Sequence, residues 1–167
     1  IVKNLIIINV LVYVAQLTLA NHFPVTEWLL LWPVMPDKLI NYLVESGALE
    51  SSQHFKPYQL ATHLFAHSPS SIFHIFFNMF TLWMFGKILE NVWGGQRFLF
   101  FYLACGLGAA ALHLGIQYVR CEELLQAFEA NNMRAVQENI GSVSPALGAS
   151  GAVMGVMVAF AYLFPNT

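Results

Sequence analysis

The sequence predicts an all-α fold, a polytopic transmembrane helical bundle, and three observations lead to that prediction. Of the 167 residues, 57% are hydrophobic. Only 10% are charged, whereas a soluble domain usually carries about 25%. The apolar residues fall into four long segments separated by polar connections. We therefore expect the lipid bilayer as a partner, and the net charge of −2 gives no basis for binding nucleic acid.

The four apolar segments supply the predicted spans, at residues 5–20, 72–89, 98–119 and 147–164. About 20 mostly apolar residues cross the hydrocarbon layer as a helix, because backbone groups in lipid must be hydrogen-bonded within the segment. A soluble four-helix core is the alternative, but these segments have almost no polar face to present to water. The chain begins without methionine and stops just after the fourth segment, so we expect a fragment of a longer protein.

The connections between the segments differ in character. Residues 21–71 form a long connection with Trp28, Trp32 and several prolines, and we expect it to lie along the membrane–water interface, which tryptophan favours. Residues 91–95 predict a tight turn, and residues 120–139 predict a polar helix with charges of both signs. Lysine and arginine beside the tight turn place that turn and the N-terminus in the cytoplasm.

A small-residue motif, Gly148-Ala149-Ser150-Gly151, opens the fourth segment. A serine flanked by glycines can sit on a sharp turn with its hydroxyl exposed, where nearby backbone N–H groups can bind an oxyanion. The following helix adds the positive end of its dipole. The alternative is packing, because small residues let membrane helices approach each other closely.

Two polar side chains, His74 and Asn78, lie four residues apart in the second segment and so share one helix face. Such side chains are costly inside a span unless they have partners. They could stabilise a developing oxyanion, or they could form hydrogen bonds that hold helices together. The residues alone leave both interpretations open.

Small residues also recur every four positions in the third and fourth segments, which predicts close helix packing there. In the fourth segment this stripe would direct Ser150 towards the helix that packs against it. The residues are Gly151, Gly155 and Ala159 in the fourth segment, and Gly106 with Ala110 and Ala111 with Gly115 in the third.

Taken together, the motifs resemble the rhomboid family across nearly the whole chain. Residues 62–67 resemble the end of the family's first loop, and residues 86–90 with the Trp93-Gly94 turn resemble the region that closes its second helix. His74-Ile75-Phe76-Phe77-Asn78 matches the His-x-x-x-Asn of that helix, and residues 148–151 match the Gly-x-Ser-Gly active-site motif.

The resemblance implies a core of about six helices, four of which are present in a single domain, residues 1–167, that is incomplete at its C-terminus. It implies a serine endopeptidase that cleaves transmembrane segments of membrane proteins through a Ser–His dyad. Ser150 would be the nucleophile, supported by Gly148 and Gly151. His74, Asn78 and the backbone at Ala149 would line the oxyanion hole. From the family we expect a multi-pass protein of the bacterial inner membrane.

The chain departs from the family pattern in two places. The first loop has Tyr58-Gln59 where the family often has Trp-Arg, so an anchoring charge is lost. The family's general base is a histidine on the sixth helix, and a serine hydroxyl needs such a base. His113, within the third segment, is not placed by any motif to act as that base. We therefore expect the chain as given to be inactive.

Two further possibilities concern function and metal binding. A proteolytically inactive rhomboid-like protein that binds and escorts membrane proteins is the alternative to a protease. No cofactor is expected, and no metal site is expected although His63 and His67 lie four residues apart, because no third ligand is placed beside them. Both residues are interpreted as hydrogen-bonding residues of the loop.

Overall fold

Residues 1–166 are described by a computed structural model, and the last residue of the predicted domain, Thr167, lies outside the described residues. The described chain is helical, with one isolated backbone bridge and no strand among those residues. This confirms the predicted all-α fold. The helices are α1 (Val2–Leu19), α2 (Val25–Leu29), α3 (Asp37–Glu45), α4 (Gln59–Thr62), α5 (Ile72–Trp93), α6 (Gly95–Glu129), α7 (Met133–Asn139) and α8 (Ser150–Leu163).

Three of these helices are long and apolar enough to cross a membrane. α1 has 18 residues, α5 has 22 and α6 has 35. At 1.5 Å per residue they are about 27, 33 and 52 Å long, against a hydrocarbon layer of about 30 Å. The first three predicted spans are therefore confirmed, and α6 continues well beyond the layer.

The fourth predicted span is shorter than expected. α8 has 14 residues and is about 21 Å long. The prediction of a helical segment from residue 147 is wrong, because Gly148 has a φ of +105°, which no right-handed helix accommodates. The helix begins at Ser150 instead.

Polar and apolar residues are distributed as in a membrane protein. Ile7, Leu11 and Val14 on α1 are exposed, whereas Asn9 and Gln16 on the same helix are fully buried. Polar residues in spanning helices face the bundle interior because lipid offers them no hydrogen bonds. A soluble four-helix core would show the reverse arrangement, so that alternative is excluded.

The turn between α5 and α6 is a single residue. Gly94 has a φ of +81° and a ψ of +156°, a conformation that residues with a Cβ rarely adopt. This confirms the tight turn predicted at residues 91–95. The chain reverses there, so α5 and α6 pack as antiparallel neighbours.

The polar helix predicted at residues 120–139 is divided differently in the structure. Residues 120–129 continue α6 without a break, and only Met133–Asn139 forms a separate helix. Cys121 and Leu124 on the extension are buried and pack in one cluster with Leu39 and Leu43 of α3. This apolar contact explains why the helix extends past its membrane-spanning part.

Close packing between α6 and α8 depends on glycines of α8. A Cβ at Gly151 would lie 2.4 Å from the Ala109 Cβ, and a Cβ at Gly155 would lie 2.4 Å from the Cys105 Sγ. The predicted small-residue stripe on α8 is thus confirmed. The stripes predicted on the third segment do not supply its partner.

Of the small residues predicted to pack on α6, Gly106 and Ala110 are buried, but Gly106 does not face α8. Gly106 packs against Leu64 of the loop, and a Cβ at Gly115 would meet nothing within 4 Å. Ala111 and Gly115 are exposed. The helix face towards α8 is instead the one that carries Cys105 and Ala109, which lie one turn apart.

Candidate active site

A groove between α5 and α8 brings the predicted site residues together. Its volume is about 380 Å³, and its polar lining consists of Ser71, His74, Asn78, Thr81 and Ser150. From Gly95 to Ala109, which faces Gly151, α6 rises about 20 Å. With Gly95 at one face of a hydrocarbon layer about 30 Å thick, Ser150 would lie about 10 Å inside the other face.

The serine side of the groove begins at a glycine that no other residue can replace without strain. Gly148 has a φ of +105°, and a Cβ there would lie 2.8 Å from Cε1 and 2.9 Å from Nε2 of His74. The same position is 3.7 Å from the Ser150 Oγ. The imidazole and the hydroxyl thus converge on one point beside Gly148. Ser150 is exposed to the groove as the first residue of α8.

Main-chain hydrogen bonds hold the segment that leads to Ser150. Leu31 and Ala146 exchange two bonds, each 2.9 Å long, and the Gly148 N–H donates to the His63 carbonyl at 2.8 Å. We call residues 143–150 the serine wall. The Gly148 N–H is thus already bonded, and among residues 1–166 no hydrogen bond outside the helices uses the N–H groups of Ala149 and Ser150, the residues next to it in the motif.

Side chains of α6 fasten the start of the serine wall. His113 Nε2 donates to the Ser144 carbonyl at 3.1 Å, and the Ser144 N–H donates to Gln117 Oε1 at 3.2 Å. Nε2 of His113 is therefore already used in a hydrogen bond to the loop that precedes α8. No side chain of residues 1–166 forms a hydrogen bond with the Ser150 hydroxyl.

The opposite side of the groove carries His74 and Asn78, and we call residues 66–78 the histidine wall. The Ser68 N–H donates to His74 Nδ1 at 3.2 Å. A neutral imidazole whose Nδ1 accepts a hydrogen bond carries its proton on Nε2. His74 therefore presents an N–H donor at Nε2, which lies 2.9 Å from the position a Cβ on Gly148 would occupy.

Asn78 lies one turn further along α5, about 9 Å from its start and so near the depth of Ser150. Its Nδ2 donates to the His74 carbonyl at 2.7 Å. A carboxamide nitrogen has two hydrogens, so one remains for the groove. The side chain is buried, and this hydrogen bond offsets part of the free-energy cost of burying the amide.

His63 and His67 belong to the loop, as predicted. Nδ1 of His63 bonds the Gln59 carbonyl at 2.8 Å, and Nδ1 of His67 bonds the Phe65 carbonyl at 3.2 Å. Burial lowers the pKa of His63, and it lowers the pKa of His67 to about 4. Both imidazoles are therefore neutral near pH 7. Within residues 1–166, no three His, Cys, Asp or Glu side chains come together as metal ligands would.

Two buried amide side chains, those of Gln59 and Gln16, hold loops in place and were not identified from the sequence. Gln59, noted only for a lost charge, is fully buried and accepts from the N–H groups of Trp32 at 3.3 Å and Lys56 at 3.0 Å. Gln16 of α1 bonds the backbone at His67. A lone amide within an apolar span is the signal that could have identified Gln16, because such residues need partners.

Comparison with known proteins identifies relatives of this chain. Rhomboid protein 1, mitochondrial, of Saccharomyces cerevisiae is 31% identical over 101 residues, which are 60% of this chain and 24% of the yeast protein. The presenilin-associated rhomboid-like protein, mitochondrial, of Bos taurus is 29% identical over 147 residues, 88% of this chain and 32% of that protein. The human protein of the same name is 29% identical over 138 residues, 81% of this chain and 30% of that protein.

The chain thus spans about a quarter to a third of the length of these relatives. No solved structure matches. The apolar helices and the relatives establish an integral membrane protein, but the predicted bacterial inner membrane is not confirmed, because these relatives are named as mitochondrial. The rhomboid domain family matches residues 54–167, which include both walls of the groove, and the chain belongs to the rhomboid family.

Proposed function

We propose that this protein is an intramembrane serine endopeptidase with Ser150 as the nucleophile. The observation that carries the proposal is the convergence of His74 Nε2 and the Ser150 Oγ beside Gly148, at the start of α8. A hydroxyl, an N–H donor and a helix N-terminus at one point supply a nucleophile and oxyanion donors for acyl transfer, to which a general base must be added.

The reaction follows from these positions. The Ser150 Oγ bonds to the carbonyl carbon of the scissile peptide while its proton passes to a general base, which the family resemblance places on a sixth helix. The carbonyl oxygen becomes an oxyanion, bound by His74 Nε2–H, the second hydrogen of Asn78 Nδ2 and the N–H groups of Ala149 and Ser150. The intermediate collapses, the amine product leaves with the proton, and water hydrolyses the acyl-enzyme.

The depth of the groove supports a transmembrane segment as the substrate. A peptide that reaches Ser150 about 10 Å inside the layer must unwind locally to expose a carbonyl. Extended backbone is tolerated at that depth only where protein or a water-filled cavity surrounds it, and the polar lining of the groove meets that condition. Membrane proteins whose spans contain small or helix-breaking residues are the expected substrates.

The test uses the full-length protein in lipid vesicles with a reporter transmembrane substrate. We expect Ser150→Ala to abolish cleavage and Ser71→Ala, which changes another serine of the same groove, to retain most of it. Cleavage that survives in Ser150→Ala would refute the assignment of the nucleophile. A wild-type protein that binds the substrate without cutting it would favour the escort protein instead.

A further inference from the structure

The carboxamide of Gln16 forms three hydrogen bonds behind the histidine wall. Oε1 accepts from the His67 N–H at 2.9 Å, and Nε2 donates to the His67 carbonyl at 3.0 Å and to Thr26 Oγ1 at 3.1 Å. The side chain has 0% exposure. The amide therefore bonds both the N–H and the carbonyl of His67, as neighbouring β-strands bond each other.

The peptide unit that Gln16 holds also reaches His74. The His67 carbonyl and the Ser68 N–H belong to one planar peptide unit, in which they point in opposite directions. Gln16 bonds the carbonyl from one side, and the N–H on the other side donates to His74 Nδ1 at 3.2 Å. Fixing the carbonyl therefore fixes the direction of the N–H, and each bond polarises the other.

The tautomer of His74 depends on that N–H. With the Ser68 N–H as donor, Nδ1 must accept, and the proton lies on Nε2, which faces Gly148. If the peptide unit rotates, Nδ1 can carry the proton instead, and Nε2 then presents a lone pair that repels an oxyanion. The neighbouring ring of His67 is no substitute donor, because its proton lies on Nδ1, which donates to the Phe65 carbonyl, and its Nε2 has only a lone pair.

We propose that Gln16 is a positioning residue that acts through the His67–Ser68 peptide unit to hold the proton of His74 on Nε2. Gln16 touches neither Ser150 nor the groove, so its effect is indirect. The catalytic consequence rests on the proposed function, but the tautomer itself does not.

The experiment is ¹⁵N NMR on the full-length protein with labelled histidine, with His74→Gln used to assign the signals. In the wild type we expect a protonated Nε2 and an unprotonated Nδ1 on His74. In Gln16→Leu, which keeps the volume but removes every bond of the amide, we expect Nδ1-protonated imidazole to appear. Thr26→Val is the matched control, because it removes only the bond outside the His67 peptide, and the His74 signals should not move.

Kinetics separate this role from a purely structural one. If the protein cleaves, Gln16→Leu should lower kcat by about tenfold to a hundredfold with little change in KM. The upper value corresponds to the loss of a whole oxyanion donor. A wild-type His74 protonated on Nδ1 overturns the proposal whether or not the variant folds. Unchanged His74 signals in a folded Gln16→Leu also overturn it. A shifted tautomer in a protein that cleaves nothing supports the positioning role and counts against the protease.

Discussion

The serine wall and the histidine wall face each other across one groove, but different interactions hold them. Main-chain bonds from Leu31 and His63 fix the serine wall near Ser150. The histidine wall depends on the side chains of Gln16 and His74 bonding to the backbone of residues 67 and 68. Near Ser150 the serine wall should therefore tolerate most side-chain changes except those at Gly148, whereas one amide substitution should disturb the histidine wall.

The largest effect is expected for a substitution of Asn78 in the histidine wall. In the full-length protein, Asn78→Ala would remove one of the proposed oxyanion donors and should lower kcat by on the order of 10²–10³, with little change in expression. Initial cleavage rates at saturating substrate measure this. A variant that fails to fold would instead support the interpretation of Asn78 as a residue that only holds helices together.

The next effect tests the serine wall at Gly148. Gly148→Ala places a methyl group 2.8 Å from the His74 ring at a backbone with a φ of +105°. The strain should reduce the free energy of unfolding by about 1–3 kcal/mol, and the displaced ring should reduce cleavage by tenfold or more. Denaturant titration and cleavage rates measure the two effects.

Gly141→Ala is the control for that variant. A Cβ at Gly141 would meet nothing within 4 Å, so stability and cleavage should stay close to the wild type. Equal behaviour of the two alanine variants would contradict the account of the serine wall.

A smaller effect tests the helix contact beneath the serine wall. Gly155→Ala forces a Cβ to within 2.4 Å of the Cys105 Sγ, and overpacking of this kind costs about 1–3 kcal/mol. Gly115→Ala, on an open face of α6, should be neutral or slightly stabilising because alanine favours helix. The difference in free energy of unfolding between the two variants is the quantity to measure, and a similar value for both would mean that α6 and α8 do not pack closely at Gly155.

Most of the fold could be predicted from the sequence, because length and apolar composition are enough to identify spans. The α6 extension could not, since Cys121 and Leu124 stand among charged residues and are explained only by the partner helix α3. The start of α8 was misplaced by three residues because the positive φ of Gly148 is a property of the folded chain. A small-residue stripe shows that a helix packs closely, but it does not show that Cys105 and Ala109 form the opposing face.

The candidate site, like the fold, could be predicted only in part from the sequence. Ser150, His74 and Asn78 were singled out by residue type, spacing and the family resemblance, and the structure places all three in one groove; their roles stay predictions. The roles of Gln16 and Gln59 could not be predicted, because each bonds main-chain groups, and a sequence does not show which main-chain groups come near. Gln59 was noted only as a departure from the family pattern, whereas its uncharged amide bonds the backbone of the loop.

The most direct test of the central claim is to locate a covalent adduct. The full-length protein in lipid vesicles would be treated with a mechanism-based serine hydrolase inhibitor, digested and analysed by mass spectrometry. We predict a single modified serine, Ser150, and loss of the adduct in Ser150→Ala. An adduct on another serine, or the same labelling in Ser150→Ala, would contradict the account. Residues 1–167 alone should remain unlabelled, because no described side chain bonds the Ser150 hydroxyl as a base would.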